Sequence, residues 1–270
     1  MAKRAESLVR RVDPDLTLPV YMSDEKPVGL EAVQEYVIPP RIKIVQKQAD
    51  DALLERFNAG DVIVIPAEVI ISKYEKENPE RFHFVPLFFY PEWATWSSIE
   101  VRNEVPMILE RTLDSDSEIA KKSKSSKLRV EKMQYEGREI EVRHVEHLNF
   151  IISLYNHPLG VDAMVLSFNR GEHGSGMRFS SLIKLRGSSI YGGVYEGVIA
   201  KRTGPKGEWM GLNVSNPTIE GVNPWVTQDE YAALAIKHKE LAESHKAGLL
   251  RADYEDTASE DDPSETPASF

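Results

Sequence analysis

The stretch Arg81-Phe82-His83-Phe84-Val85-Pro86-Leu87-Phe88-Phe89-Tyr90-Pro91-Glu92-Trp93-Ala94-Thr95-Trp96 decides the fold class. It is the densest group of aromatic residues in the chain, and its composition is typical of a β-strand. Pro86 and Pro91 lack the N–H that a central ladder needs, so they favour an edge strand or a bulged strand. The stretch therefore predicts one long strand of a β-rich domain.

Short apolar runs on both sides of this stretch predict further strands. They are expected at 39–45, 61–66, 139–145, 162–168, 189–201 and 209–214. Gly192, Gly193 and Gly197 interrupt the run 189–201, and glycines inside a strand permit the sharp coiling of a small closed barrel. The sequence thus predicts a strand-rich α+β domain.

Three segments have the features of helices. A brief helix is expected over 49–58, ending before Gly60, and another over 177–186. Thr227-Gln228-Asp229-Glu230 matches a capping box. The helix that follows it should run to about Leu249, over 227–249, and pack on the domain through an apolar stripe.

The segments without apolar periodicity divide the chain into an arm, a domain and a tail. Residues 1–38 are predicted to form a largely disordered arm, and 251–270 a disordered acidic tail. One domain is expected over 39–250. Residues 113–138 are polar and rich in Ser and Lys, so they are expected to be a long, flexible, basic insertion in it.

The composition excludes several classes of protein. None of the 270 residues is Cys, which excludes disulfides, zinc-thiolate sites, iron–sulfur clusters and thiol nucleophiles, and favours a reducing compartment. The first residues contain no apolar signal segment, and no stretch approaches the length needed to cross a bilayer. We therefore expect a cytoplasmic protein with no membrane partner.

The formal net charge of −10 is unevenly distributed. Residues 253–270 contain no Lys or Arg and seven acidic residues, which are Asp253, Glu255, Asp256, Glu260, Asp261, Asp262 and Glu265. Residues 1–252 consequently carry a net charge of only −3. This asymmetry leaves room for basic surfaces on the domain.

Two basic regions are candidates for contact with phosphate. The first lies in the insertion and comprises Lys121, Lys122, Lys124, Lys127, Arg129 and Lys132. The second comprises Arg170, Arg178, Lys184, Arg186, Lys201, Arg202 and Lys206, with Gly174 and Gly176 beside a predicted helix N-terminus. Flexible cations suit phosphate contact that reads no base sequence. A solvated loop without function is the alternative for the first region. In the second region the Gly-Lys-Ser/Thr of a nucleotide-binding loop is missing.

Aromatic residues near these basic regions are candidates for base stacking. Tyr90, Trp93, Trp96, Tyr191 and Tyr195 could offer faces on which unpaired bases stack, in a mode that tolerates any sequence. Aromatic residues at strand spacing are more often core, and for Phe82, Phe84 and Phe88 the core is the preferred interpretation. For Trp93 and Trp96 both alternatives stay open.

An enzyme is a weaker interpretation. A nuclease would use Glu139, Glu141 and His144 around a metal, but further carboxylates would have to converge on them. His144 and His147 are three apart, which on a strand places them on opposite faces. Neither a catalytic residue nor a metal or other cofactor is predicted.

The tail is the most informative feature. Its carboxylates, mixed with Ser, Thr, Pro and Ala, cannot form a core, and it ends in Phe270. Such a strand can occupy a basic groove of the same protein until DNA displaces it. A terminal aromatic and carboxylate also fit a basic-rimmed pocket on a partner. The candidate partner-binding residues are Asp261, Asp262, Glu265 and Phe270.

The chain resembles the single-stranded DNA-binding proteins of tailed bacteriophages, which have an OB-fold core, extra helices and an acidic tail ending in Phe. The resemblance is carried by the tail and by Pro-Leu-Phe-Phe-Tyr-Pro-Glu-Trp at 86–93, Arg-His-Val-Glu-His-Leu-Asn-Phe at 143–150 and Ser-Phe-Asn-Arg-Gly-Glu-His at 167–173. The bacterial counterpart ends in an Asp-Ile-Pro-Phe-like tip. Pro267-Ala268-Ser269-Phe270 departs from that tip, which puts docking on the host's own receptors in doubt.

The resemblance implies a function. The family coats exposed single strands during phage DNA replication, recombination and repair in the infected bacterial cell. The tail of the family contacts the phage DNA polymerase or primase–helicase, and a homodimer is compatible with this interpretation. The OB-fold also follows from the resemblance alone.

One alternative from another class is a phage structural or assembly protein. Its aromatic segment would form an oligomer interface, and its tail would serve only solubility. It would show no salt-dependent affinity for DNA. Stacking and phosphate contact would also serve RNA, unless the ribose hydroxyl is read.

Overall fold

The computed structural model describes residues 39–49, 51–98, 101, 104–125, 129–157, 163–204, 207–219, 221–252 and 254. The predicted arm 1–38 lies outside the described residues. So do Lys127, Lys206 and almost all of the acidic tail, including Asp261, Asp262, Glu265 and Phe270.

The described residues form a strand-rich α+β fold. The strands are β1 (Arg41–Ile44), β2 (Val62–Ile65), β3 (Val69–Ser72), β4 (Arg81–Ser97), β5 (Ile108–Thr112), β6 (Val130–Tyr135), β7 (Arg138–Leu154), β8 (Met164–Phe168), β9 (Tyr195–Gly204) and β10 (Gly207–Ser215). The α-helices are α1 (Asp51–Leu54), α2 (Glu118–Lys124), α3 (His173–Arg186) and α4 (Gln228–Lys246). Two 3-10 helices lie at Arg170–Glu172 and Ile190–Gly192.

All ten strands belong to one open, mixed sheet. Its order is β10-β9-β4-β7-β8-β1-β2-β3, with β5 paired to β4 and β6 paired to β7. The pair β1–β8 is parallel and the other pairs are antiparallel. The strand-rich α+β prediction is confirmed, and the open, mixed sheet is compatible with a barrel-like core.

The centre of the sheet is the antiparallel pair of β4 and β7, each of 17 residues. The pairing runs from Phe84 opposite Leu154 to Ser97 opposite Val142, and one residue of β4, Leu87, has no partner in the ladder. Leu87 is therefore the extra residue of a β-bulge. Its carbonyl accepts a hydrogen bond of 2.7 Å from His238 Nδ1 on α4.

The two prolines of β4 lie where one edge of the strand has no neighbouring strand. On that edge β9 pairs with residues 81–84 and β5 with residues 93–96. Pro86 and Pro91 fall between these two partners, where a missing N–H costs no ladder bond. The predicted bulge is present, but β4 is a central strand and is an edge only locally.

The bulge divides β4 between two cores. Before it, Phe82 and Phe84 face the larger core, which Phe150, Phe168, Phe179 and Tyr195 also fill. Because one extra residue shifts the alternation of a strand by one, the even-numbered Tyr90, Ala94 and Trp96 face the second core together with Leu87. The segment after α4 closes that second core through Leu250, Ala252 and Tyr254.

The helices differ in part from the predicted ones. α3 begins at His173, before the predicted start at 177, and ends at Arg186, where Gly187 caps it with a left-handed φ of 65°. α4 has the predicted capping box, in which Thr227 and Glu230 bond each other's backbone N–H. Among the described helices, none combines the length and the apolar character that a membrane span requires.

The prediction of an unstructured insertion at 113–138 is wrong for its described residues. Ser117 caps α2, whose Ile119 and Ala120 are buried against Trp93, and β6 pairs along the start of β7. Few apolar residues are needed here, because α2 covers a strand that supplies the aromatic ring. The sequence signal was therefore weak.

Candidate nucleic-acid interface

Four of the five predicted stacking residues are buried. Tyr90, Trp93, Trp96 and Tyr195 are each 1–3% exposed, as members of the two cores or beneath α2. Stacking of a base requires a free ring face, and these rings have none in the described structure. The expectation of base stacking on these four residues is corrected accordingly.

The cations of the first basic region are largely engaged with neighbouring groups. Lys121 pairs with Glu118 at 2.9 Å, and Lys122 pairs with Glu131. The Lys124 ammonium lies 5.4 Å from the centre of the Trp93 ring, and Arg129 Nε donates to the Ser123 carbonyl at 3.1 Å. The contacts of Lys122, Lys124 and Arg129 connect α2 to the strands beside it, whereas Lys121–Glu118 is an exposed pair within α2. Most of the region therefore has a structural role. Lys132 likewise pairs with Glu139.

Part of the second basic region is also paired with neighbouring side chains of the fold. Arg202 pairs with the half-buried Glu172 at 2.8 Å, and the same carboxylate accepts from Trp209 Nε1 at 3.1 Å and from the Leu212 N–H at 3.0 Å. Burial raises the pKa of Glu172, and Arg202 opposes that shift. Lys201 pairs with Glu208 at 2.5 Å. Arg202 and Lys201 therefore stabilise the β9–β10 hairpin.

The outer face of α3 presents the remaining basic residues to solvent. Arg178 and Lys184 are exposed, and α3 contains no acidic residue. Met177, 57% exposed, and Leu185, 83% exposed, lie on the same face because they follow helical spacing. This face combines positive charge with apolar surface, and it is carried on a helix that Phe179 anchors in the larger core.

Arg186, at the end of α3, supports an exposed indole. Its guanidinium donates to the carbonyls of Val194 at 2.9 Å and Pro224 at 2.7 Å, and its Nε donates to Asn216 Oδ1 at 3.0 Å. Its Cζ lies 4.1 Å from the centre of the Tyr195 ring and 5.1 Å from that of Trp225. The Arg186 side chain is thereby fixed beneath Trp225.

The backbone around Trp225 is fixed as well. Val194 N–H donates to the Pro224 carbonyl at 3.0 Å, and Val226 N–H donates to the Gly192 carbonyl at 3.3 Å. A Cβ on Gly193 would lie 2.2 Å from Arg186 Nη1, so only glycine leaves room for the guanidinium. Trp225 is nevertheless 43% exposed. An indole that is rigidly held and open to solvent is a prepared stacking platform.

Two tyrosines continue this surface. Tyr231, 40% exposed, lies with its ring centre 5.0 Å from that of the half-buried Tyr191, and its hydroxyl is 2.8 Å from Ser189 Oγ. Its ring also lies against Gly192, the residue that bonds the Trp225 loop. We call this area the Trp225 surface, and it consists of Arg186, Tyr191, Trp225 and Tyr231. Arg178 and Lys184 lie on the outer face of the helix that Arg186 ends.

The structure thus brings together two of the predicted residues, Arg186 and Tyr191, and adds Trp225 and Tyr231. Arg178 and Lys184 are exposed on the outer face of α3, and no described contact joins them to this area. Sequence reasoning missed Trp225. The signal was Asn223-Pro224-Trp225, a loop aromatic that follows a proline and precedes a capping box. Aromatic residues in loops are less often core than those at strand spacing.

A second group of aromatic and basic side chains lies inside the molecule, around Tyr254. The Tyr254 hydroxyl donates to Glu92 Oε2 at 3.0 Å and accepts from Asn149 Nδ2 at 2.8 Å. Its ring centre lies 4.3 Å from that of His147. Burial holds the pKa of Tyr254 well above its usual value, so the hydroxyl keeps its proton.

Guanidinium groups lie around the same ring. The Cζ of Arg111 lies 5.0 Å from the Tyr254 ring centre and that of Arg41 5.9 Å. Arg170, a predicted site residue with a φ of 45°, places its Cζ 5.2 Å from the centre of the Trp96 ring, which neighbours Tyr254. We call this group the Tyr254 cluster, and it consists of Arg41, Glu92, Trp96, Arg111, His147, Asn149, Arg170 and Tyr254.

The residues of the nuclease alternative do not converge in the structure. Glu139 pairs with Lys132, Glu141 is exposed, and His144 is buried on the opposite side of β7 between Thr95 and Glu131. Across the described part of the chain, no group of three His, Asp or Glu side chains is arranged to hold a metal ion.

Comparisons with protein-family models, curated proteins and solved structures found no match, so the Trp225 surface and the Tyr254 cluster are what indicates a function.

Proposed function

We propose that this protein binds single-stranded DNA without sequence preference and that it is not an enzyme. The observation that carries the proposal is the Trp225 surface, where an exposed indole lies on a fixed arginine beside a helix face that carries only positive charge. Single-strand binders combine stacking platforms with cations that follow the backbone.

The Trp225 surface and the outer face of α3 are two components that would act on different parts of the strand. Trp225 and Tyr231 offer ring faces to bases, and any base can stack on them because every base has a π-face. Arg178 and Lys184 contact phosphates and release counterions, which makes binding salt-dependent. Neither component reads base edges, so the affinity is expected to depend little on sequence.

The finer parts of the proposal rest on the resemblance to phage single-stranded DNA-binding proteins. They are an OB-fold-like core, a role in phage DNA replication, recombination and repair in the host cytoplasm, and an acidic tail that regulates DNA access. Contact between the tail and the phage polymerase or primase–helicase belongs to the same proposal. Phe270 with Asp261, Asp262 and Glu265 would make that contact.

The test is fluorescence-anisotropy titration of labelled oligo-dT and of a matched duplex across a salt series. We expect tighter binding of oligo-dT and affinity that falls with salt. Trp225→Ala should weaken oligo-dT binding about 5- to 150-fold, because stacking on an aromatic contributes about 1–3 kcal/mol per base. Combined Arg178→Ala and Lys184→Ala should reduce the slope of log K against log salt by about 1.4.

Intrinsic fluorescence provides a matched control. Trp93 and Trp96 are buried and Trp209 is half-buried, so oligo-dT should quench mainly Trp225. Trp225→Phe should remove most of that quenching, whereas Trp209→Phe should keep it. An absence of oligo-dT binding by the wild-type chain, at low as well as high salt, would refute the proposal.

A structural or assembly protein is the second candidate, and the exposed Met177 and Leu185 favour it. Large apolar side chains on the outer face of a helix are typical of protein interfaces. This candidate predicts self-association that Leu185→Asp abolishes in sedimentation velocity, with no salt-dependent oligo-dT affinity. Sedimentation velocity and oligo-dT titration of the same protein preparation therefore distinguish the two candidate functions.

A further inference from the structure

The ring of Tyr254 is bound in the way that proteins bind a flat ligand. The His147 ring lies 4.3 Å away at an interplanar angle of 32°, and guanidinium groups of Arg41 and Arg111 lie toward the same ring. Stacked imidazole and guanidinium planes are surfaces on which proteins place unpaired bases. The Tyr254 ring thus occupies a position with the chemistry of a base site.

The polar edge of the cluster also matches a nucleobase. Asn149 offers an amide donor and acceptor, and Glu92 offers a carboxylate acceptor, both within 3.0 Å of the Tyr254 hydroxyl through their nearest atoms. Amides of this kind bond base edges in pairs, and carboxylates accept from exocyclic amines. Arginines on the same cluster suit the phosphate that accompanies a base.

We infer that the Tyr254 cluster is a second nucleobase-binding site, which Tyr254 fills in the described state and which a base of a bound strand enters when Tyr254 leaves. The base stacks on His147, its edge bonds Asn149 and Glu92, and its phosphate contacts Arg111 and Arg41. This inference rests on the proposed function and assigns it a site beyond the Trp225 surface.

Tyr254 belongs to a segment that can leave without breaking the sheet. Described residues after α4 are in neither helix nor strand, and Gly248 turns the chain with a φ of 73°. Leu250 and Ala252 of the segment are buried, and the Ala252 carbonyl accepts a hydrogen bond from Arg111 Nη2 at 2.8 Å. No sheet hydrogen bond of β1–β10 involves it.

The test uses the full chain and an oligo-dT that carries 5-iododeoxyuridine for photo-crosslinking. Tyr254→Phe keeps the ring and removes the bonds to Glu92 and Asn149, and Tyr254→Ala removes the ring. We expect both to bind oligo-dT more tightly than wild type, by at least about 5-fold for the Ala variant. Cross-links should appear on peptides that contain Trp96 or His147, in addition to those that contain Trp225. Leu249→Ala, on an exposed side chain of the same segment, is the matched control. It should change neither the affinity for oligo-dT nor the pattern of cross-links.

A second measurement needs no substitution. Trypsin should cut after Arg251 slowly in the free protein, because Leu250 and Ala252 on either side are buried, and at least about 5-fold faster with saturating oligo-dT. Cleavage after Lys246 in α4 serves as the internal reference.

The outcomes separate the two proposals. The wild-type protein could bind oligo-dT and give cross-links at Trp225, while the Tyr254 variants show neither tighter binding nor new cross-links and cleavage at Arg251 is no faster. That result would overturn the inference and leave the proposed function standing. No oligo-dT binding by any variant would overturn both.

Discussion

The guanidinium carbon of Arg186 lies 5.1 Å from the centre of the Trp225 ring, so the end of α3 supports an indole 39 positions further along the chain. Three acceptors bind that guanidinium, whose planar fork directs its N–H groups to all of them. A lysine ammonium has no such fork and cannot bond all three. The orientation of Trp225 therefore depends on arginine at this position.

Arg186→Lys is expected to destabilise the protein by about 1–3 kcal/mol, since the carbonyl of the buried Val194 and two exposed acceptors lose a charged donor. It should also increase acrylamide quenching of Trp225 fluorescence. Urea denaturation and quenching titrations measure the two effects. Lys184→Ala, two residues earlier and exposed, should change the free energy of unfolding by no more than about 0.5 kcal/mol. Equal effects of the two variants would contradict the supporting role of Arg186.

Phe179 is the side chain through which α3 is anchored. Its ring centre lies 4.6 Å from that of Phe150 and 5.1 Å from that of Tyr195, and it is 1% exposed. Phe179→Ala should lower the free energy of unfolding by about 3–5 kcal/mol. Leu185→Ala, on the outer face of the same helix, should have almost no effect in the same denaturation experiment. A large loss for Leu185→Ala would show that its face is covered in solution.

Gly176 marks the closest approach of α3 to the sheet. A Cβ at this position would lie 2.7 Å from Phe168 Cβ and 3.0 Å from Leu148 Cδ1. Gly176→Ala should therefore destabilise the protein by about 1–3 kcal/mol through overpacking. Gly174→Ala is the control, because its Cβ would meet nothing within 4 Å, and it should stabilise by up to about 1 kcal/mol. Thermal melting of both variants gives the comparison, and opposite signs are expected.

His147 predicts how stability changes with pH. Burial, with Arg170, Arg111 and Arg41 nearby, holds the pKa of His147 well below its usual 6.5 in the folded protein. The unfolded chain therefore takes up a proton around and below pH 6.5 that the folded protein does not. The contribution of the neutral His147 to the free energy of unfolding is fully present above pH 6.5. It is lost as the pH falls below that value, by about 1.4 kcal/mol per pH unit.

The measurement is the free energy of unfolding of wild type and His147→Gln between pH 7.5 and pH 5. We expect a steeper fall for wild type than for the variant, because glutamine does not titrate. Parallel curves for the two proteins would show that His147 is charged or exposed in the folded state.

Much of the sheet could be predicted from the sequence because its strands are apolar runs. The runs at 61–66, 81–96 and 209–214 coincide with β2, β4 and β10 within a few residues. α2 and β6 could not be predicted in this way, since their charged residues hide the few positions that contact the sheet. Ile119 and Ala120 become core only because Trp93 lies opposite them.

The candidate site was less accessible to sequence reasoning. Charge in the sequence selects Lys201 and Arg202 as readily as Arg178 and Lys184. Only the fold shows that Arg202 is paired with Glu172 and Lys201 with Glu208. Trp96 and Tyr90 are buried because residues beyond α4 return to cover them. Such long-range coverage has no local signature.

The extra residue Leu87 shifts the alternation of side chains between the two halves of β4. This shift limits how the length of the strand can change in evolution. Phe84 faces the larger core, whereas Tyr90, an even number of positions later, faces the second. Loss of one residue between them would turn Tyr90, Ala94 and Trp96 to the opposite side of the sheet. Relatives of this chain should therefore keep the number of residues in β4, with gaps confined to the connections between strands.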